Sequence, residues 1–260
     1  MCHLIDCEVY YKLKSDRKRI HLIDEVRGLS IILMVFYHAF FILGDFFGFD
    51  FMSRTQQFFS PLQPLFACLF IFISGISSNL SRSNFKRGLR LLAIALGFTI
   101  VTAVILPKFG LTGAEIIFGI LHLLSVSMLV YALIKKPLEK VPTNIGVAVC
   151  FLLFVLTFSV QAGKVLWFDL PLSLYQHTFL APLGFPSYGF YSADYFPILP
   201  YMFMFFAGTF FGRLEKEGRI PQAWYVSRCR PLSVIGSKTL IIYVLHWPII
   251  FIIGLIISKI

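Results

Sequence analysis

Residues 23–38 read IDEVRGLSIILMVFYH, a charged opening followed by an apolar run that ends on a histidine. His38 follows Arg27 by eleven positions. If the stretch is a membrane-crossing helix, a rise of about 1.5 Å per residue puts the imidazole roughly 16 Å deep, near the midplane. An ionisable group at that depth is costly. The stretch therefore predicts a transmembrane helix with a functional histidine that has a partner.

The composition extends this prediction to the whole chain. Of 260 residues, 58% are hydrophobic and 14% are charged, and the mean hydropathy is +0.81. A soluble domain has about 25% charged residues. No polar stretch is long enough to fold a soluble domain, so we predict an all-α polytopic membrane protein. It would have a cytoplasmic tail at 1–20, without a cleavable signal peptide, and a single transmembrane domain at 21–260.

The apolar runs predict seven transmembrane helices. They lie at about 28–46, 59–79, 89–107, 112–134, 144–163, 195–212 and 237–258. With a cytoplasmic N-terminus, the inner segments hold 19 Lys and Arg and the outer segments hold 4. The positive-inside rule thus predicts that the C-terminus is outside. We expect a multi-pass protein of the plasma membrane, with an aromatic and proline-rich outer loop at about 164–194 that lies in the interface or caps a cavity.

The net charge of +10 is open to two interpretations. Basic residues cluster between the apolar runs, where they report membrane orientation, so we expect the lipid bilayer and not nucleic acid as the partner.

The five cysteines show no metal-ligand spacing and imply no disulfide framework. We expect no metal.

Three of the six histidines fall within predicted spans: His38, His122 and His246. Counted from the nearest predicted helix ends, His122 lies about 15 Å and His246 about 12 Å deep, so all three are expected near one level. A histidine cluster suits proton abstraction or acyl transfer. A metal site, or histidines that simply pack and bond to backbone carbonyls, are the alternatives.

Charged residues frame both ends of the predicted spans. Asp45 ends the first span and Asp194 opens the sixth, where each can orient a histidine or hold a polar substrate. Asp194 can equally be a helix cap. On the inner side, basic residues surround the entrances of the first three spans, as ordinary positive-inside charge or as a docking patch for a phosphate-bearing cofactor. These are Arg27, Arg82, Lys86, Arg87 and Arg90.

Five separated motifs resemble the catalytic domain of heparan-alpha-glucosaminide N-acetyltransferase and its bacterial relatives, in the transmembrane acyltransferase superfamily. The first runs from Arg19-Ile20 through Arg27-Gly28 to His38. The others are FIFISGIS at 70–77, FGILH at 118–122, DYFPILP at 194–200 and IYVLHWP at 242–248. Together they cover about residues 19–250.

The resemblance implies a membrane enzyme that moves an acetyl group from cytoplasmic acetyl-CoA to a sugar amine or hydroxyl across the membrane. With it, we expect His38 as general base or acyl acceptor, His122 and His246 in support, and Asp194 positioning the acceptor. Asp45 and Tyr195 join Asp194 as candidate substrate-binding residues. Arg27, Arg82, Arg87, Arg90 and Ser74 are the candidate acetyl-CoA-binding residues.

Several alternatives stay open at this stage. In relatives of the lysosomal enzyme, the proposed acetyl-carrying histidine lies in the loop after the first catalytic helix, and residues 44–60 contain no histidine here. Transfer can therefore be direct or pass through an acetyl-histidine. A proton-coupled transporter with a histidine relay is the second hypothesis, and a structural subunit of an envelope assembly the third. The acceptor sugar and the oligomeric state are open.

Overall fold

The structure is a computed structural model that describes residues 19–81 and 83–258. The chain divides into two compact units. The first contains the chain up to Phe66 and again from Ile220 onward, and the second runs from Ala67 to Arg219. Both units are built almost entirely of helices, as the composition predicts.

The longer elements follow in chain order. We label as helices α1 (His21–Phe41), α2 (Asp50–Phe59), α3 (Gln63–Asn79), α4 (Asn84–Thr99), α5 (Ile120–Glu139), α6 (Thr143–Thr157), α7 (Ile198–Phe211), α8 (Arg213–Lys216), α9 (Arg230–Ser237) and α10 (Thr239–Ile257). Two short strands, β1 (Lys164–Val165) and β2 (Phe168–Asp169), pair antiparallel as a hairpin after α6. Shorter turns of π- and 3₁₀-helix extend several helices, as at Ile42–Phe46 after α1.

Within the described residues, six helices are long and apolar enough to cross a membrane. They correspond to the predicted first to fifth and seventh spans, and they are His21–Phe46, Asp50–Asn79, Asn84–Phe109, Ile120–Glu139, Thr143–Ala162 and Thr239–Ile257. The first begins seven residues before the predicted start at position 28. Its charged first turns are helical because each charged side chain is paired. Asp24 and Arg27 form a salt bridge with each other, and Glu25 accepts backbone hydrogen bonds from the segment before α9.

The predicted start of the fourth span at 112 is wrong, because α5 begins only at Ile120. The preceding backbone is irregular and is held from two sides. Thr99 at the end of α4 donates to the Ile116 carbonyl, and Thr102 in the π-helical turn after α4 accepts the Ile116 N–H. Ala193 donates its N–H to the Glu115 carbonyl at 2.8 Å. These contacts replace the helical hydrogen bonds of the segment. His122 is therefore in the first turn of α5, and its predicted depth, counted along a helix from position 113, does not hold.

The predicted sixth span, 195–212, corresponds to the 14-residue helix α7. That length is about 21 Å at the usual rise, shorter than the roughly 30 Å hydrocarbon core. Leu199 has non-helical angles (φ −92°, ψ 126°), because the following Pro200 disfavours the α conformation in the residue before it. Regular helix thus starts later than the apolar run indicates.

In the first unit, α1 and α9 cross at a contact between glycines. A Cβ atom on Gly28 would lie 2.1 Å from the Leu232 carbonyl oxygen, and one on Gly236 would lie 1.8 Å from that of Asp24. Only glycine allows two helix backbones to approach this closely. The Arg27-Gly28 dipeptide thus has a packing role at the start of α1.

The second unit uses the same device between α3 and α7. A Cβ atom on Gly75 would lie 2.0 Å from the Phe205 carbonyl oxygen, and one on Gly208 would lie 2.0 Å from that of Phe72. The long loop between α6 and α7 contains the hairpin and several 3₁₀ turns, and its end runs beside residues 113–119. That contact positions Asp194.

Candidate active site

Two of the three predicted histidines meet in the first unit. The rings of His38 on α1 and His246 on α10 have centroids 5.2 Å apart, with planes inclined by 53°. Their side chains are buried, with exposed fractions of 8% and 7%. We call these two residues the histidine pair. At this separation, both imidazoles can reach the same group of a bound substrate, and either ring can then give a proton to that group or take one from it.

The two rings of the pair differ in their hydrogen bonding. His246 Nδ1 lies 2.6 Å from the Tyr243 carbonyl oxygen, one helical turn earlier. A carbonyl can only accept, so Nδ1 carries the proton and the lone pair of the neutral ring is on Nε2. His38 Nδ1 is buried and has no hydrogen-bond partner within residues 19–81 and 83–258. Buried polar atoms in proteins normally have a hydrogen-bond partner. A bound substrate could supply the partner of His38 Nδ1.

Aromatic rings enclose the histidine pair. The ring of Tyr37 meets that of His38 edge-on at 5.8 Å, and Tyr243 lies 5.3 Å from His246. Gln56 of α2 donates to the Tyr37 hydroxyl at 3.0 Å, which ties α2 to the same part of α1. The pair is therefore held in a defined, largely apolar environment.

His122 belongs to the second unit and has partners at both ring nitrogens. Its Nδ1 accepts the Gly119 N–H at 3.2 Å, and its Nε2 lies 3.2 Å from Thr99 Oγ1. The proton of the neutral ring is thus on Nε2. The bond to Gly119 is the return half of a capping box, in which the third helical residue reaches back to the backbone before the helix. This geometry is that of a histidine that organises a helix start.

Asp194 caps the N-terminus of α5. Its position just before the sixth predicted span indicates a cap on α7 instead. Its Oδ2 accepts the Ile120 N–H at 3.0 Å, at the first residue of α5. The carboxylate is buried and close enough to His122 to interact electrostatically with it. A negative charge at a helix N-terminus is favourable because of the helix dipole. His122 and Asp194 thus come together at the start of α5.

The other predicted substrate-binding residues lie in different surroundings. Asp45 is in the π-helical turn after α1, and its side chain is exposed. Tyr195 is half-buried, and its hydroxyl donates to the Ala181 carbonyl at 2.7 Å. Burial raises the pKa of Tyr195 above its ordinary value, so this hydroxyl remains protonated and a hydrogen-bond donor.

The predicted acetyl-CoA-binding residues are distributed over both units. In the first, Arg27 is half-buried and forms a salt bridge with Asp24 at 3.0 Å. In the second, Arg87 and Arg90 are exposed on α4, while the Ser74 hydroxyl donates to the Phe70 carbonyl at 2.8 Å within α3. Arg82 lies outside the described residues.

A glutamate that the sequence patterns did not single out organises the first unit. Glu25 is 5% exposed, and its Oε1 accepts the backbone N–H groups of Arg228 and Cys229, each at 2.8 Å, and the Ser227 hydroxyl at 3.0 Å. The signal was available, since an acidic residue in the first apolar helix needs a partner. The partner is about 200 positions away, which one sequence does not reveal.

No group of three or more His, Cys, Asp and Glu side chains within residues 19–81 and 83–258 has the arrangement of a metal site. At the histidine pair, the imidazoles themselves offer proton transfer and nucleophilic attack.

Residues 19–248 match the family model described as heparan-alpha-glucosaminide N-acetyltransferase, catalytic. The chain belongs to this family. The matched range includes both members of the histidine pair, together with His122, Asp194 and the glycines of the α1–α9 crossing. No curated protein and no solved structure matches the chain significantly. Family membership confirms the resemblance and implies acyltransferase activity at a membrane.

Proposed function

We propose that the protein is a membrane acetyltransferase. It takes the acetyl group of cytoplasmic acetyl-CoA and delivers it to a sugar amine or hydroxyl at or beyond the outer face. Membership of the acetyltransferase family supports this function over a proton-coupled transporter. The observation that carries the proposal is the contact between His38 and His246, in which two imidazoles from the two ends of the matched region share one buried place.

The proposed chemistry uses the lone pairs of the histidine pair. In direct transfer, an imidazole removes a proton from the acceptor hydroxyl or amine as that group attacks the thioester carbonyl. The carbon–sulfur bond then breaks, and the coenzyme A thiolate leaves and takes up the proton. In the two-step alternative, the unprotonated nitrogen of His38 attacks the thioester carbonyl and the carbon–sulfur bond breaks. Coenzyme A leaves as the thiol with the proton of the other ring nitrogen. The acetyl-imidazole then passes its acetyl group to the acceptor, whose proton returns to the ring.

The other candidate residues take supporting parts in this proposal. Asp194 and His122 position the start of α5 near the outer loop. Asp194 and Tyr195 in the second unit, and Asp45 in the first, are each proposed as a contact for the saccharide. Arg27, Arg87, Arg90 and Ser74 remain the proposed contacts for the acetyl donor on the inner side, with Arg82. The exposed guanidinium groups of Arg87 and Arg90 are the most accessible of these for phosphates.

The proposed topology has seven spans, with α7 as the sixth despite its short length, a cytoplasmic N-terminus and an outer C-terminus. The support is the distribution of 19 basic residues on one set of connections and 4 on the other. With an odd number of spans, the two termini are on opposite sides. We propose the plasma membrane as the location, since cytoplasmic acetyl-CoA and outer glycans meet there.

The test is acetyl transfer from acetyl-CoA, or its hydrolysis, by purified protein carrying His38→Ala. We expect a rate loss of at least about 100-fold, the usual contribution of a general base. The exposed His177 supplies the control, because His177→Ala should keep the full rate. Thermal unfolding of both variants shows that they are folded. A folded His38→Ala protein with full activity would remove His38 from the chemistry, and substrate-driven proton movement in vesicles without acetyl-CoA would favour the transporter.

A further inference from the structure

The first unit contains a cavity of about 530 Å³ that none of the roles above uses. Its walls come from the start of α1 and from residues 227–237, and four of the lining side chains are basic: Arg19, His21, Arg228 and Arg230. Among the described residues, none of those that line the cavity carries a carboxylate. A volume of this size lies within the range of small-molecule binding sites.

Within the part of the chain that the structure describes, two of these arginines pair with no carboxylate. Arg228 and Arg230 are exposed and form no salt bridge within residues 19–81 and 83–258. Arg19, by contrast, pairs with Asp24 at 2.5 Å. The guanidinium groups of Arg228 and Arg230 are therefore available to an anion, and the planar fork of arginine matches two oxygens of one phosphate.

Serine hydroxyls complete the wall: Ser227, Ser233 and Ser237. Ser233 Oγ lies 3.4 Å from His21 Nδ1, so this hydroxyl and the imidazole converge on the same side of the cavity. Serine hydroxyls and arginines are together a common donor set for phosphate oxygens.

The segment that carries these groups is fixed in place. Glu25 binds the backbone N–H groups of Arg228 and Cys229 from the α1 side, and the glycine crossing locks α9 against α1. The carboxylate contacts the backbone and the Ser227 hydroxyl, so the Arg228 side chain is left for a ligand. A fixed donor array costs less conformational entropy on binding.

We propose that this cavity is a binding site for a phosphate-bearing ligand, held by Arg228 and Arg230 with support from His21 and Ser233. A free nucleotide-like phosphate, such as that of coenzyme A, and an anionic lipid headgroup both present this chemistry. Binding of coenzyme A here rests on the proposed function, whereas binding of a lipid phosphate does not.

The test is calorimetric titration of detergent-solubilised full-length protein with inorganic pyrophosphate. The double variant R228Q/R230Q should bind at least about tenfold more weakly, because it loses the charge-assisted hydrogen bonds of two guanidinium groups to the phosphate oxygens. The control is Arg54→Gln, which removes an exposed arginine of the same unit outside the cavity. Arg54→Gln should leave the affinity unchanged.

Two further titrations distinguish the sources of the phosphate. Tighter binding of coenzyme A than pyrophosphate, lost in R228Q/R230Q, identifies a soluble donor. Tighter binding of phosphatidic acid in mixed micelles, lost in the same variant, identifies a lipid. Repeating the titrations with His38→Ala separates binding from acetyl transfer, since that variant should bind normally even if it is inactive. No binding of any probe, or equal binding by R228Q/R230Q, overturns the proposal.

Discussion

His38 and His246 are 208 positions apart in the chain, and their buried rings lie 5.2 Å from centroid to centroid. The contact joins the first and last membrane helices of the described chain. The sequence predicts a partner for His38 because burying an ionisable side chain within a membrane is costly. The ring of His246 is the neighbour that the structure places beside it. The proposed function assigns its chemistry to the lone pair on His246 Nε2 and to the buried Nδ1 of His38.

The histidine pair should act as one unit. We expect His38→Ala and His246→Ala each to lower the acetyl-transfer rate by at least about 100-fold, and the double variant to be no slower than the worse single variant, because residues of one catalytic unit are not additive. Steady-state rates of the three proteins check this. Independent losses that multiply in the double variant would mean that the two imidazoles work in separate steps.

Two substitutions of Asp194 distinguish a role in stabilising the fold from a role in the reaction. Asp194→Ala removes the acceptor for the Ile120 N–H and should lower stability by about 1–2 kcal/mol, as loss of a helix cap does. Asp194→Asn retains an oxygen at the same place and should recover most of that stability. Thermal unfolding measures both. If Asp194→Asn is as stable as the parent but inactive, the carboxylate charge itself is needed for the reaction.

Glu25 should be a strong determinant of the fold of the first unit. Glu25→Ala leaves the N–H groups of Arg228 and Cys229 without their acceptor, and each lost bond to a charged group costs about 1.5–3 kcal/mol. Glu25→Gln keeps an acceptor oxygen and should be milder. Unfolding temperatures in detergent provide the comparison. Equal stability of Glu25→Ala and the parent would show that water replaces the carboxylate.

The α1–α9 crossing predicts a contrast between two glycines. Gly236→Ala places a methyl group against the Asp24 carbonyl and should destabilise the protein by about 1–3 kcal/mol, the usual cost of overpacking. Gly97 in α4 has open space where its Cβ would be, so Gly97→Ala should stabilise the helix by about 0.5–1 kcal/mol. Thermal unfolding of the two variants should move in opposite directions. A neutral Gly236→Ala would show that the helices separate easily.

Glu217 links stability to pH outside the membrane helices. Its hydrogen bond from Thr143 at 2.5 Å, and then its contact with Arg219, lower its pKa below the ordinary value of 4.5. The stabilisation is therefore present above that value and is lost as the pH falls through the lower, folded-state pKa. We expect Glu217→Gln to weaken the decline of the unfolding temperature below about pH 4.5. If the unfolding temperature of Glu217→Gln fell with pH as steeply as that of the parent, carboxylates other than Glu217 would be responsible for the acid sensitivity.

How much the sequence could predict differed between the spans and the site. The spans at 144–163 and 237–258 were predicted to within two residues because apolar length is a local property, whereas the helix of the second span begins at Asp50, nine residues before the predicted start. The start at 112 was wrong because Thr99, Thr102 and Ala193, distant in the chain, hold residues 113–119 out of a helix. The partner of His38 was predicted only as a requirement, and the partners of Glu25 were missed, since both depend on packing between helices far apart in sequence.

The sequence by itself determined the membrane class, six of the seven predicted spans and the family, because hydrophobic length and ordered motifs are properties of the linear chain. Only the tertiary structure decided which histidines meet. It paired His38 with His246, placed His122 with Asp194 at the start of α5, and gathered Arg228 and Arg230 around a cavity. The physical reason is that a buried polar group needs a partner, but its choice of partner is made by the close packing of helices.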